Sequence, residues 1–219
     1  MAHLKEDTQN MEVINFIHIP KNAGTSIRYI QSNAKKYKLV YNSHGTDIYS
    51  PELCNQLIII RNPIERFASA VYYAMQQWGG GPILKYLIEN GINTPEKWIQ
   101  IWSNPNHKAY HILMSELLNT SKIHKIGDKI LKYKCTYTPQ SLWINNPKYI
   151  ILMDNFSEEM GYFMKKTNNK TLLPNTNVSL KGNYTLSEKS KAFLKKFYKN
   201  DFMLYEKYKN MSIEERLPF

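Results

Sequence analysis

The order Phe16-Ile17-His18-Ile19-Pro20-Lys21-Asn22-Ala23-Gly24-Thr25-Ser26-Ile27 constrains this chain more than any other feature. An apolar run leads into a lysine, small residues and two hydroxyls, and a helical pattern follows. A chain written this way carries a buried strand into a tight turn and straight on into a helix. Backbone N–H groups left free at such a turn, with a helix dipole behind them, favour an anion. Lys21 adds a mobile positive charge at the same place.

The rest of the chain repeats the strand-then-helix order. Val13 to Ile19 reads as a buried strand and Thr25 to Tyr37 as a helix, with Ile27, Ile30 and Ala34 on one face. Leu39 to Tyr41 is a short strand. Leu57 to Arg61 is a continuous apolar run of the kind found in a central parallel strand. Pro63 suits the first turn of a helix running towards Gln77, and Gly79 to Pro82 marks a loop. Ile83 to Ser141 reads as mostly helical, with a helix start at Thr94-Pro95-Glu96. Tyr149 to Met153 is another buried strand, followed by a helix from Ser157 to Lys166. Thr171 to Tyr184 is irregular and polar. Thr185 and Glu188 fit a capping box that opens one long amphipathic helix. Its stripe of Phe193, Phe197, Phe202, Leu204, Tyr205 and Tyr208 reads as core packing. The alternation predicts an α/β domain with a mainly parallel sheet, whose ligands bind at the carboxyl ends of the strands. No repeat or linker divides residues 1–219, so one domain is expected. Residues 1–10 read as a flexible leader, and 83–141 as the helical region that contributes an acceptor site.

Composition narrows the function classes. A chain of 219 residues with 42% hydrophobic content supports a globular core. No apolar run approaches the roughly 20 residues that span a bilayer, and the N-terminus has no apolar signal region. The two cysteines, Cys54 and Cys135, lack metal-ligand spacing and read as free buried thiols. A net charge of +11, from 29 basic and 18 acidic residues, favours an acidic partner: nucleic acid, a polyanionic glycan or a multiply charged nucleotide. Part of the excess, such as Lys189, Lys191, Lys195, Lys196 and Lys199, reads as the wet face of a helix.

The opening motif is not a Walker A loop, because it has one glycine and its lysine comes first. The strand ending at Arg61-Asn62 also lacks the Asp that would hold Mg²⁺. An anion handled by lysine, arginine and N–H groups without a metal argues against phosphoryl transfer, where Mg²⁺ neutralises the transferring group. A sulfuryl group carries less charge. The second motif, Ile60-Arg61-Asn62-Pro63-Ile64-Glu65-Arg66-Phe67-Ala68-Ser69-Ala70, ends a strand on Arg61 and places Ser69 about two helical turns on. The pair is suited to clamp one phosphate. Two anion sites at adjacent strand ends fit a bisphosphorylated nucleotide better than a polymer backbone. Glu65 and Arg66 read as helix-surface or supporting pairs.

Together the two motifs resemble the sulfotransferases that use 3′-phosphoadenosine 5′-phosphosulfate (PAPS), most closely their carbohydrate branch of heparan and chondroitin type. Pro20 to Ser26 is similar to that family's 5′-phosphosulfate loop, and Arg61-Asn62-Pro63 with Arg66 and Ser69 to its 3′-phosphate element. Thr138-Pro139-Gln140, Tyr149 to Phe156 and Tyr198-x-x-Asp201-Phe202-x-Leu204-Tyr205 resemble looser, later landmarks. The resemblance implies a P-loop-like three-layer fold, PAPS as co-substrate and no metal. It implies that Lys21 stabilises the bridging oxygen. Asn22, Ala23, Gly24, Thr25 and Ser26 would hold the 5′-phosphate, Arg61 and Ser69 the 3′-phosphate, and Lys181 would close over the nucleotide. Catalysis needs a base for the acceptor hydroxyl, and His44, in the interval where the carbohydrate branch places its histidine, is the first candidate. His18 reads as a core residue or loop support; His107 and His111 could face an acceptor.

The expected activity is sulfuryl transfer to a hydroxyl, on a carbohydrate first; a glycolipid, protein or tyrosine acceptor stays open. The alternatives are a Mg²⁺-dependent nucleotide or small-molecule kinase and a non-catalytic polyanion-binding protein. The expected setting is the soluble phase of a microbe or virus-infected host, or the Golgi lumen for a chain cut from its anchor.

Overall fold

Alternating apolar positions build a four-stranded sheet from β1 (Glu12–Ile17), β2 (Tyr37–Asn42), β3 (Gln56–Ile60) and, beyond the short hairpin of β4 (Lys125–Ile126) and β5 (Lys129–Ile130), β6 (Tyr149–Leu152). The computed structural model describes residues 11–28, 30, 37–43, 45–77, 81–120, 125–171 and 184–219. The strand order is β2-β1-β3-β6 and every pairing is parallel. The α-helices among the described residues are α1 (Gly24–Arg28), α2 (Pro63–Gln77), α3 (Pro82–Glu89), α4 (Pro95–Trp102), α5 (Tyr110–Leu117), α6 (Phe156–Lys166), α7 (Glu188–Phe197), α8 (Lys199–Lys209) and α9 (Ile213–Arg216). The whole helical middle is therefore one crossover between the neighbouring strands β3 and β6.

The sheet is buried on both faces, as parallel sheets are. Side chains alternate along each strand. Ile14, Phe16, Leu57 and Ile59 pack with Ile27 of α1 and Met160 and Phe163 of α6. Ile17, Ile58 and Ile60 face the opposite way, onto Trp143 and onto Tyr205 and Tyr208 of α8. Each such aliphatic chain contributes about 1.5–3 kcal/mol by leaving water. A third core lies among the helices, where Phe67 of α2, Trp98 and Trp102 of α4, Leu113 of α5 and Leu194 of α7 meet. On the α6 side, Arg216 donates to Glu159 through Nη1 and Nη2, and Glu159 also accepts the Leu152 N–H. This ties the C-terminal segment to β6.

Several expectations hold. α2 starts at Pro63 and ends at Gln77, every residue of β3 is buried, and the Thr94 hydroxyl accepts the Lys97 N–H to cap α4. Others need correction. Tyr37 opens β2 instead of closing a helix, and residues 31–36, with Ala34, lie outside the described residues. The middle third is not helical throughout, since it contains the β4–β5 hairpin. The expected C-terminal helix is two, α7 and α8, parted at Tyr198. The break has a cause: Tyr198 donates its hydroxyl to Tyr137 O at 2.6 Å, and Asp201 accepts from Gln140 N and Ser141 N. One straight helix would have to give up part of that docking. Ser187, not Thr185, caps α7 through Ser190 N, and the capping box is that of Ser212 and Glu215 on α9. Cys54 and Cys135 are both free, but Cys54 is exposed. Among the described residues no helix is long and apolar enough to cross a membrane. The leader, 1–10, lies outside the described residues.

Candidate functional site

The chain leaves β1 towards β2 on one side and returns to place β3 on the other. A crevice forms at such a reversal, outside the carboxyl ends of the two central strands. The loops that open there carry Pro20 to Ala23 after β1, and Arg61 and Asn62 after β3.

The first loop is held in an unusual backbone shape. Lys21 and Ala23 have φ of +69° and +55°, a region that costs a non-glycine residue about 1–2 kcal/mol. Its neighbours impose that shape. Asn22 is fully buried and donates its Nδ2 to Ile59 O at 2.7 Å and to Gln140 Oε1 at 2.9 Å. Arg66 Nε donates to Pro20 O at 3.0 Å, and Arg61 Nη1 to Lys21 O at 3.3 Å. The left-handed to right-handed step from Ala23 to Gly24 turns successive N–H groups to one side. Among the described residues, the N–H groups of Ala23, Gly24 and Thr25 have no backbone acceptor. The described part of α1 covers five residues, so these N–H groups and the nearby cations, more than a helix dipole, make the site attractive to an anion.

Gly24 is required here by close approach. A Cβ on it would lie 1.8 Å from His18 Cδ2. His18 is just past the end of β1, and its Nδ1 lies 2.6 Å from Tyr41 Oη. It supports the loop from beneath, one of the two roles expected of it.

The cations outnumber the carboxylates beside them, of which Glu65 alone is in ion-pair contact among the described residues. Lys21 Nζ rests 3.8 Å from the centre of the Tyr73 ring, a cation–π contact. Burial pushes its ammonium down to about 8, and Arg61 and then Arg66 push the same way. Arg61 is lowered by burial, a shift opposed by Glu65, whose exposed carboxylate is 3.7 Å from Nη2. Arg61 Nε is buried with no partner among the described residues. Such a donor costs about 1–3 kcal/mol unless an acceptor reaches it.

Arg66 takes the supporting one of the two roles expected of it, not the surface one: it is 1% exposed and donates to the carbonyls of Pro20, Thr138 and Cys135. Gln140 was missed as a site residue. Its Oε1 accepts from Asn22 Nδ2 and from Arg61 N at 3.3 Å, while its Nε2 donates to Arg61 O at 2.7 Å. Asp201 in turn accepts from the N–H groups of Gln140 and Ser141 at 2.7 and 2.9 Å. The later landmarks thus touch one another: Asp201 holds Gln140, Tyr198 holds Tyr137, and Tyr205 donates to Asp154 at the end of β6. The sequence signal was present in Thr138-Pro139-Gln140 and Asp201, without their roles. Tyr73 gave no signal.

The structure brings Lys21, Asn22, Ala23, Gly24, Thr25, Ser26 and Arg61 to one crevice. Ser26 and Ser69 are buried, Ser69 within α2. His44 and Lys181 lie outside the described residues. A cavity of about 730 Å³ lies away from this crevice, between α3, α4 and the start of α7, and neither Lys21 nor Arg61 lines it. Charge and hydrogen bonding mark the crevice. Comparisons of the chain with family models, with curated proteins and with solved structures each found no match.

Proposed function

We propose that this protein transfers a sulfuryl group from PAPS to an acceptor hydroxyl on a carbohydrate, on a P-loop-like three-layer fold. One observation carries the reading: Lys21 and Arg61 come from the loops of adjacent central strands, are desolvated together and, among the described residues, have no buried carboxylate partner, with Arg61 Nε left unpaired there. A nucleotide bearing phosphate on both its 3′ and 5′ sides supplies two anions at that span. The resemblance of the two motifs supports the same choice.

In this reading the N–H groups and hydroxyls of Asn22 to Ser26 hold the 5′-phosphate. Arg61 and Ser69 hold the 3′-phosphate, and Lys181 closes over the nucleotide. The acceptor O–H gives its proton to His44. The acceptor oxygen forms a bond to sulfur as the bond from sulfur to the bridging oxygen breaks. The electron pair leaves with adenosine 3′,5′-bisphosphate, and Lys21 offsets the charge that grows on the bridging oxygen. An interaction strongest at that moment lowers the barrier. Lys21 leaves Tyr73 for this role and gives up only a cation–π contact, not a salt bridge.

Calorimetric titration tests the nucleotide. Adenosine 3′,5′-bisphosphate should bind without metal and much more tightly than ATP. Equal affinity for the two, or binding of ATP that depends on Mg²⁺, overturns the proposal in favour of a kinase. An acceptor screen with labelled PAPS across glycans, lipids and peptides then tests the transfer. Retained turnover in His44→Ala moves the base to another residue, with His107 and His111 next.

A further inference from the structure

A second pocket, of about 370 Å³, opens where the β4–β5 hairpin, the loop after β2 and the end of α7 meet. Its volume is that of a small-molecule site, about 300–1,000 Å³. Neither Lys21 nor Arg61 lines it. Large apolar side chains that cluster on a surface mark a place where something binds. Among the described residues seven such side chains are exposed, and three of them, Tyr49, Ile130 and Leu142, line this one pocket.

The rest of the lining is apolar as well. Ile126 and Leu131 are buried, and the rings of Tyr133 and Phe197 stand edge to face at 5.1 Å. Thr138 is buried, and its hydroxyl donates to Tyr133 O at 3.0 Å, so its proton is used within the wall. The charge has one sign. Lys129 and Lys132 line the pocket, both exposed, and among the described residues no carboxylate does. Lys129 Nζ is 5.2 Å from the centre of the Tyr49 ring, and Lys132 Nζ is 5.7 Å from that of Tyr133. Ring contacts of exposed cations are weak. Neither lysine is in an ion pair among the described residues. An anion can therefore be taken here without breaking a salt bridge.

We infer that this pocket binds a free amphipathic anion, a single hydrocarbon chain with an acidic head. The chain lies against Ile126, Leu131, Tyr133 and Phe197, and Tyr49, Ile130 and Leu142 cover it at the mouth. The head sits by Lys129 and Lys132, which exchange a ring contact for a charged partner. A neutral chain would leave both lysines without that partner, and a small inorganic anion would leave the apolar wall wet. The site is independent of the sulfuryl-transfer reading.

Calorimetric titration of the full chain tests it, with laurate below its micellar concentration, octanoate and dodecyltrimethylammonium as probes. A single laurate should bind per chain. It should bind more tightly than octanoate, which buries less apolar surface, and far more tightly than the cation of equal chain length. Lys129→Glu/Lys132→Glu should weaken laurate roughly tenfold or more and leave the melting temperature of the free protein unchanged. Leu142→Glu, at an exposed position, should weaken laurate through the chain and not the head. Equal laurate affinity in the parent and the double variant overturns the inference, as does binding of several laurates per chain or equal affinity for the cation. Recruitment of the parent to phosphatidylserine vesicles without binding of free laurate overturns it in favour of a membrane surface.

Discussion

At the carboxyl ends of β1 and β3 the buried side chains that hold the chain together are Asn22, Arg66, Gln140 and Asp201, whereas between α2, α4 and α7 they are Phe67, Trp98, Trp102 and Tyr137. In the first region each of these side chains meets specified partners, so position is fixed to within a hydrogen bond. In the second, rings meet at varied angles, 24° for Phe67 and Trp102 at 5.9 Å but 64° for Trp102 and Phe197 at 4.5 Å, and volume matters more than direction. The difference teaches where precision is needed: the sheet ends aim two loops, and the helical core gives them a rigid backing.

Trp98→Ala makes the sharpest test of that division. It empties a fully buried indole whose Nε1 donates to Ile92 O, and should cost about 3–5 kcal/mol in denaturant unfolding. Bisphosphate affinity of the folded protein should stay unchanged; a parallel loss would show that the two regions are not separable. Lys21→Ala should do the reverse. Turnover should fall by about 10²–10³ with no loss of melting temperature, because the substitution removes a desolvated cation. Arg61→Ala comes next, weakening the bisphosphate by about 1.5–3 kcal/mol and adenosine 5′-phosphate far less, as read by calorimetry. Gln140→Leu should cost about 1–3 kcal/mol of stability and also lower nucleotide affinity, although Gln140 is fully buried. Loss of stability alone would reduce it to one more core residue.

The smallest effect is in pH. The Lys21 ammonium is lowered from 10.5 to about 8 by burial and by Arg61 and Arg66. A bound anion holds the proton on, so affinity should be flat below about 8 and fall by up to about tenfold per pH unit above it. Stability moves the other way: the cost of burying the charge is present in full below about 8 and is relieved as pH rises towards 10.5. Lys21→Met should flatten both curves, measured by binding and by melting across that range.

The strands and α2 were legible because their signals are local: a continuous apolar run in β3, a proline at Pro63, a hydroxyl at Thr94. The first loop was legible as an anion site because its residues are contiguous. The clamp around it was not. Asn22 and Gln140 are separated by 118 positions, and Arg66 and Thr138 by 72, so no periodicity marks the pairing. An arginine in a helix reads equally as a surface or a supporting residue until three distant carbonyls are found on it. The break at Tyr198 was hidden for the same reason, since the aromatic stripe continues through it and only the docking of Tyr198 and Asp201 requires two helices.

Gln140 touches the loop after β1 with one end of its amide and the backbone of Arg61 with both. A rigid planar group of fixed length thus sits between the two cationic anchors and works as a caliper. It sets the gap that a doubly charged ligand must match. Competitors built on the same two charges at a wider or narrower spacing should recover the grip of one anchor and forfeit the other. Selectivity would then follow geometry and not total charge.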